Sequence, residues 1–155
     1  MVLLAGLAVW WIWPEDDARA IRRQLNTLAQ LWTYGPDESP IAKQRAIGRS
    51  KALLSQDVVL EINLQRHPTV RVNGRHALME GVQQIRFGVR QLEVRLLDIQ
   101  VELLPDRRHA NASMTLSARI GTELEQEYQE LKAALERNDD GWVVTRVQTV
   151  KTWGR

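Results

Sequence analysis

The stretch Asn138–Val150, NDDGWVVTRVQTV, decides how this chain is read. Asn138-Asp139-Asp140-Gly141 is a tight-turn signal, because Asn and Asp tolerate left-handed backbone and Gly adopts it without steric cost. Trp142 to Val150 then runs through β-branched and aromatic residues, the composition of a strand. A strand of that length needs a partner, and its sequence neighbour is the nearest one. The preceding segment, Glu123–Arg137, is ambiguous alone. Leu124, Tyr128, Leu131 and Leu135 recur at helical intervals, whereas Gln129, Leu131, Ala133 and Leu135 lie on one face of a strand. The turn and the run after it make this segment the first arm of a hairpin.

Working outward, Ala110–Ile120 sets Ala112, Met114, Leu116, Ala118 and Ile120 against polar neighbours, again a strand. Gln91–Leu104 is a longer one. Its apolar parity runs Leu92, Val94, Leu96 and then changes to Leu97, Ile99, Val101, Leu103, so an extra residue, a β-bulge, is expected near Leu96-Leu97. Val58–Leu64 alternates Leu60, Ile62 and Leu64 with Glu61 and Asn63, a half-buried strand. Three segments carry helical spacing. The first starts at a cap on Asp16 or Asp17 and runs to about Trp32, burying Ala18, Ile21, Leu25, Leu28, Ala29 and Trp32. The second starts at Ser39-Pro40 and runs to about Leu54, burying Ile41, Ile47, Leu53 and Leu54. The third follows a turn at Asn73-Gly74 and spans Ala77–Phe87, with Leu78, Val82 and Ile85 on one side. Helices gathered on one face of a curved antiparallel sheet make an α+β domain whose concave side can hold a pocket.

Charge divides the 155 residues sharply. Residues 1–13, MVLLAGLAVWWIW, carry none of the 21 Lys and Arg or the 19 Asp and Glu, so the chain divides into an apolar segment, 1–13, and one domain, 14–155. The apolar run has three readings. It is the distal part of a membrane anchor, a short monotopic anchor touching the membrane through Val2 to Trp13, or a helix or strand packed on protein. As a helix, Val2–Trp13 spans about 18 Å, short of a hydrocarbon core of about 30 Å. Trp10, Trp11 and Trp13 suit the membrane interface, and Pro14 is expected to break the helix before Glu15-Asp16-Asp17. The expectation is a membrane-associated protein with the domain exported, with a cytoplasmic protein as the alternative.

Composition also removes chemistries. With no Cys there is no disulfide framework, iron–sulfur cluster, thiolate zinc site or cysteine nucleophile. His67, His76 and His109 show no metal-ligand spacing, and no Gly-rich phosphate loop occurs, so neither a metal nor a cofactor is expected. Basic residues alternate with acidic ones and no RNA- or DNA-binding motif accompanies them, which argues against a nucleic-acid partner.

The turn and strand at Asn138–Val150, the alternating ELKAALER at Glu130–Arg137 and the NGRHALMEGVQQI helix at Asn73–Ile85 together resemble the nuclear transport factor 2-like superfamily, over about residues 16–153. That resemblance implies the cystatin-like cone: a curved antiparallel sheet with three helices packed on one face. The superfamily includes ketosteroid isomerases, limonene-epoxide hydrolases, polyketide cyclases and scytalone dehydratases beside many domains without catalysis. An isomerase-like site pairs a Tyr on the first helix with two acids. Here Tyr34 lies past the first helix, Asp57 or Glu61 stands where the base would be, and Ala112–Leu116 supplies no second acid. The apolar opening joined to a domain without a complete catalytic set points first to a non-catalytic interaction or assembly domain near a membrane, and the resemblance implies that it works as a homodimer, with a membrane-associated protein partner as the other expectation. The alternative is a binder of a small apolar ligand, or an isomerase, hydrolase or cyclase, using a pocket carboxylate. The candidate site residues are Asp98 beside the bulge, Glu61 on the first strand and Tyr128. Each has a plainer reading, as an outward strand residue, an ion-paired residue and a packed aromatic respectively.

Overall fold

The computed structural model describes residues 2–63, 68–121 and 126–150, with side chains described from Asp16 onward. The order is α1 (Val2–Trp32), α2 (Pro40–Ala52), β1 (Leu54–Ile62), β2 (Val70–Asn73), α3 (Arg75–Gly88), β3 (Leu92–Leu103), β4 (His109–Ile120), β5 (Glu127–Asn138) and β6 (Gly141–Thr149). The strands form one sheet in the order β2-β1-β6-β5-β4-β3. All pairings are antiparallel except β1 with β6, which is parallel. The β5–β6 hairpin closes through Asn138 paired with Gly141, whose φ of 122° only glycine adopts freely. Tyr128, Leu131 and Leu135 therefore belong to a strand, and Leu124 lies outside the described residues, as do His67 and Trp153.

The core forms where the α1 stripe meets the inner face of the sheet. Ile21, Leu25, Leu28 and Ala29 of α1 are buried, as their spacing predicts. Facing them are Ala110, Ala112, Met114, Leu116 and Ala118 of β4, Leu131, Ala133 and Leu135 of β5, and Trp142 and Val144 of β6. Small alanines opposite large α1 side chains let the two layers interlock. Asp17 serves this packing rather than capping a helix. It accepts a hydrogen bond from Trp142 Nε1 at 3.4 Å and pairs with Arg137 at 3.6 Å.

Several expectations are corrected. Pro14 does not end the helix, which runs unbroken from Val2 to Trp32. A proline inside a helix removes one hydrogen bond, at about 3 kcal/mol, but its fixed φ is itself helical. The membrane-associated location expected from Val2–Trp13 is overturned. Among the described residues no helix is long and apolar enough to cross a membrane. Eighteen helical residues, about 27 Å, counted from Val2 reach Arg19 and take in Glu15, Asp16 and Asp17. Leu54 leaves the second helix and opens β1, where it is buried, and Ile41 is 68% exposed because α2 packs through Ala46 and Ser50. The strand β2 has no counterpart in the sequence reading.

The bulge in β3 is real and lies two residues beyond the expected place. The β3–β4 register shifts between Leu97 and Gln100, and Asp98 takes a φ of 53°. Val94 and Leu96 before it and Ile99, Val101 and Leu103 after it all pack against the core, while Leu97 turns outward. A second shift, at Ala134 and Leu135 of β5, leaves Thr145 as the extra residue on β6. Bulges increase local twist and bend a strand, which curls the sheet around α1. Left-handed backbone costs an ordinary residue about 1–2 kcal/mol. In urea denaturation Asp98→Val therefore lowers stability by about that amount, and Asp98→Gly leaves it unchanged or raises it. A harmless Asp98→Val would contradict this backbone geometry.

Candidate functional site

The open end of the cone is built from the last residues of α1, the buried side of α3 and the outer strands. Leu78, Val82 and Arg86 recur every four residues along α3, so they share one face. That face meets Leu60 of β1, Val72 of β2 and Leu92 of β3, with Trp32 and Tyr34 closing the α1 side. Between them lies a cavity of about 100 Å³ with apolar walls. Val70 and Ile85 line it while each is 43% exposed, so they form its rim.

One wall is held by a polar latch. The Arg86 side chain is 2% exposed, yet its charge is fully met. Its Nε and Nη2 donate to the two carboxylate oxygens of Glu38 at 3.1 and 3.0 Å, and its Nη1 donates to the Leu31 carbonyl at 2.7 Å. The guanidinium also lies 4.9 Å from the centre of the Tyr34 ring, a cation–π contact. Tyr34 in turn exchanges two backbone hydrogen bonds with Leu92, at 2.8 and 3.0 Å. Its hydroxyl donates to the carbonyls of Ile85 and Val89, at 3.0 and 2.8 Å, where α3 ends. Burial pushes the Tyr34 phenol above the ordinary tyrosine value; the Arg86 charge opposes that shift and Glu38 adds to it. The phenol is thus a hydrogen-bond donor at neutral pH, held in place and not offered to the cavity.

The sequence-predicted site residues lie elsewhere. Asp98 is exposed at the bulge, beside Gln100, Ser113 and Lys132 in a shallow depression of about 280 Å³. Glu61 is half-buried opposite Arg71 of β2 and next to Gln148 of β6. Its neighbours Leu60 and Ile62 face the helices, so Glu61 faces away. Tyr128 is 61% exposed and donates to Gln126 Oε1 at 2.9 Å. The three stand on β3, β1 and β5, none lines the cavity, and the fold does not bring them together. Asp57 is exposed on β1. His76 pairs with Glu80 one helical turn away and His109 with Asp106 at the β3–β4 turn. Among the described residues no three His, Asp or Glu side chains converge on a point.

This architecture is shared with solved structures. A dehydratase candidate of the nuclear transport factor 2-like family from Streptomyces avermitilis superposes with a TM-score of 0.69 at 13% identity, covering 91% of this chain and 99% of that one. A nuclear transport factor 2-like protein of unknown function from Pseudomonas putida gives 0.66 at 13%, covering 90% and 89%. A scytalone dehydratase candidate from Novosphingobium aromaticivorans gives 0.64 at 16%, covering 86% and 83%. No protein-family model matches the chain, and no curated protein does. The chain has the cystatin-like cone fold of the nuclear transport factor 2-like superfamily, an open curved sheet with three helices on one face.

Removing one partner of a buried ion pair strands the other charge, at about 3–5 kcal/mol. Glu38→Gln is expected to lower stability in urea by about 3 kcal/mol, the low end, because the Glu38 side chain is 14% exposed. Arg86→Met added to Glu38→Gln restores much of that loss. Strictly additive single and double variants would show that the pair is not coupled.

Proposed function

We propose that this chain is a small-molecule-binding domain that takes the apolar part of its ligand into the cone. The observation that carries the reading is the apolar cavity between α3, Tyr34 and the outer strands, with Val70 and Ile85 at its rim. Small-molecule sites are usually apolar clefts bounded by a few fixed polar groups, and this cavity has that chemistry at a smaller size. The fold likeness supports the same side of the question, since several of the similar structures are described as dehydratase or cyclase candidates. Cavity size limits the ligand. About 100 Å³ is two-thirds of the roughly 150 Å³ that accommodates benzene elsewhere, so a short alkyl group fits inside and a single ring enters with part of it over the rim. Neither Asp98, Glu61 nor Tyr128 reaches this cavity, and binding accordingly has better support than catalysis. The expectation of a homodimer draws on the resemblance and on the sheet face that the helices leave uncovered, where Leu97 and Tyr128 are exposed; ligand binding does not depend on it.

Gly81 offers a clean test, because it lines the cavity and a Cβ built on it meets nothing within 4 Å. Benzene is expected to raise the thermal midpoint of the natural chain by a few degrees, since a ligand that binds only the folded state stabilises it by mass action. Gly81→Leu fills the space and also exchanges a poor helix former for a good one, gaining roughly 0.8 kcal/mol. The variant is therefore more stable and no longer responds to benzene. An equal benzene response in both chains would place the binding outside the cone and sink the proposal.

A further inference from the structure

The free edge of β3 carries a second concavity, outside the cone. A groove of about 760 Å³ runs between α1 and that edge, with Asn26, Gln30, Glu93, Arg95, Leu97 and Arg119 among its walls. Tyr34 and Leu92, joined by their backbone bridge, line both spaces and form the partition between groove and cavity.

The charges in this groove do not balance. Glu93 and Arg119 stand directly opposite on β3 and β4, the register in which a carboxylate and a guanidinium pair. Glu93 instead takes Arg95, Nη2 to Oε1 at 3.1 Å. Arg119 is left with its Nε buried and without a hydrogen-bond partner. An exposed pair such as Glu93–Arg95 is weak enough to exchange. Whichever arginine holds Glu93, the other guanidinium has no carboxylate partner among the described residues of the groove. A buried N–H with no acceptor is costly, and a guanidinium presents its donors as a planar fork that fits a carboxylate in two parallel hydrogen bonds.

We propose that the β3-edge groove is a binding site for a carboxylate-bearing organic anion. Its carboxylate sits on Arg119, its apolar body lies against Leu97, which is 41% exposed, and the amides of Asn26 and Gln30 face its polar edge. The site is separate from the cone cavity, and its ligand need not be the one that the cavity takes. The groove volume falls within the range usual for small-molecule pockets, about 300–1,000 Å³.

The test is an NMR titration of the full chain with benzoate, with benzyl alcohol as the neutral isostere and inorganic phosphate as the competing anion. Benzoate is expected to shift the Arg119 Nε–H resonance with a Kd of about 1 mM or tighter. Benzyl alcohol and phosphate bind about tenfold more weakly, because one lacks the charge and the other the apolar body. Arg119→Gln weakens benzoate about tenfold, and Arg119→Lys recovers part of the loss by keeping the charge without the fork. Should Arg119→Gln disturb folding, Arg95→Gln at an exposed position serves instead: it frees Glu93 for Arg119, removes the excess charge and weakens benzoate too. Gly81→Leu leaves benzoate affinity unchanged, which separates this site from the cone. Equal benzoate affinity in the natural chain, Arg119→Gln and Arg95→Gln overturns the proposal. So does phosphate binding tighter than benzoate, and so do shifts confined to Leu78 and Val82.

Discussion

Tyr34 is the residue on which the open end of the cone depends. It lies two residues past the end of α1, and its backbone pairs with Leu92 at the free edge of β3. Its hydroxyl takes the carbonyls at the end of α3, and its ring carries the guanidinium that Glu38 holds. One side chain thus fixes the end of the first helix, the edge of the sheet and the far end of the third helix against each other. A phenol suits that task, because it is neutral at ordinary pH, burial moves it further from ionisation, and it donates to carbonyls. The cavity exists because these three elements are held at a fixed separation around apolar side chains too small to fill the gap. Gly81 contributes to that gap on α3.

The curl of the sheet is the other half of the design. With the parity of β3 changed at Asp98, Leu96 and Ile99 both face inward and a twelve-residue strand stays in contact with the core along its length. Because the change comes after Leu97, that residue stays on the outer side with Glu93 and Arg95, at the groove where Arg119 lies. α1 blunts the exposed edge that results: Thr33 Oγ1 accepts from the Val94 N–H at 2.9 Å and Arg22 Nε donates to the Ile99 carbonyl at 3.3 Å. Edge strands left open invite pairing with other chains, so this cover has a clear physical use.

What the sequence made legible was local. The α1 stripe, the alternation in β4 and the turn before β6 each follow from a period or a turn read within about fifteen residues. What it hid was non-local. The four residues of β2 show too short a pattern to stand out, and the parallel pairing of β1 with β6 joins Leu60 to Val147 across most of the chain. Ile41 is apolar and at helical spacing, yet it is left exposed. Asp98, Glu61 and Tyr128 have the chemistry of site residues but not the placement, and the alternation of Leu60, Glu61 and Ile62 already turns Glu61 away from the helices. Arg86 was the reverse case. Its spacing from Leu78 and Val82 marks it as inward, yet a charge on a buried stripe makes sense only once Glu38 and the Leu31 carbonyl are seen to meet it.

The central claim is that the cone holds an apolar ligand between α3 and the Tyr34–Leu92 partition. A crystal structure of the chain equilibrated with benzene tests it most directly. The account predicts electron density for one ring in contact with Leu78, Val82 and Leu92, with Tyr34 and Arg86 unmoved. A cavity closed by its own side chains, or benzene bound only on the uncovered face of the sheet, would contradict it.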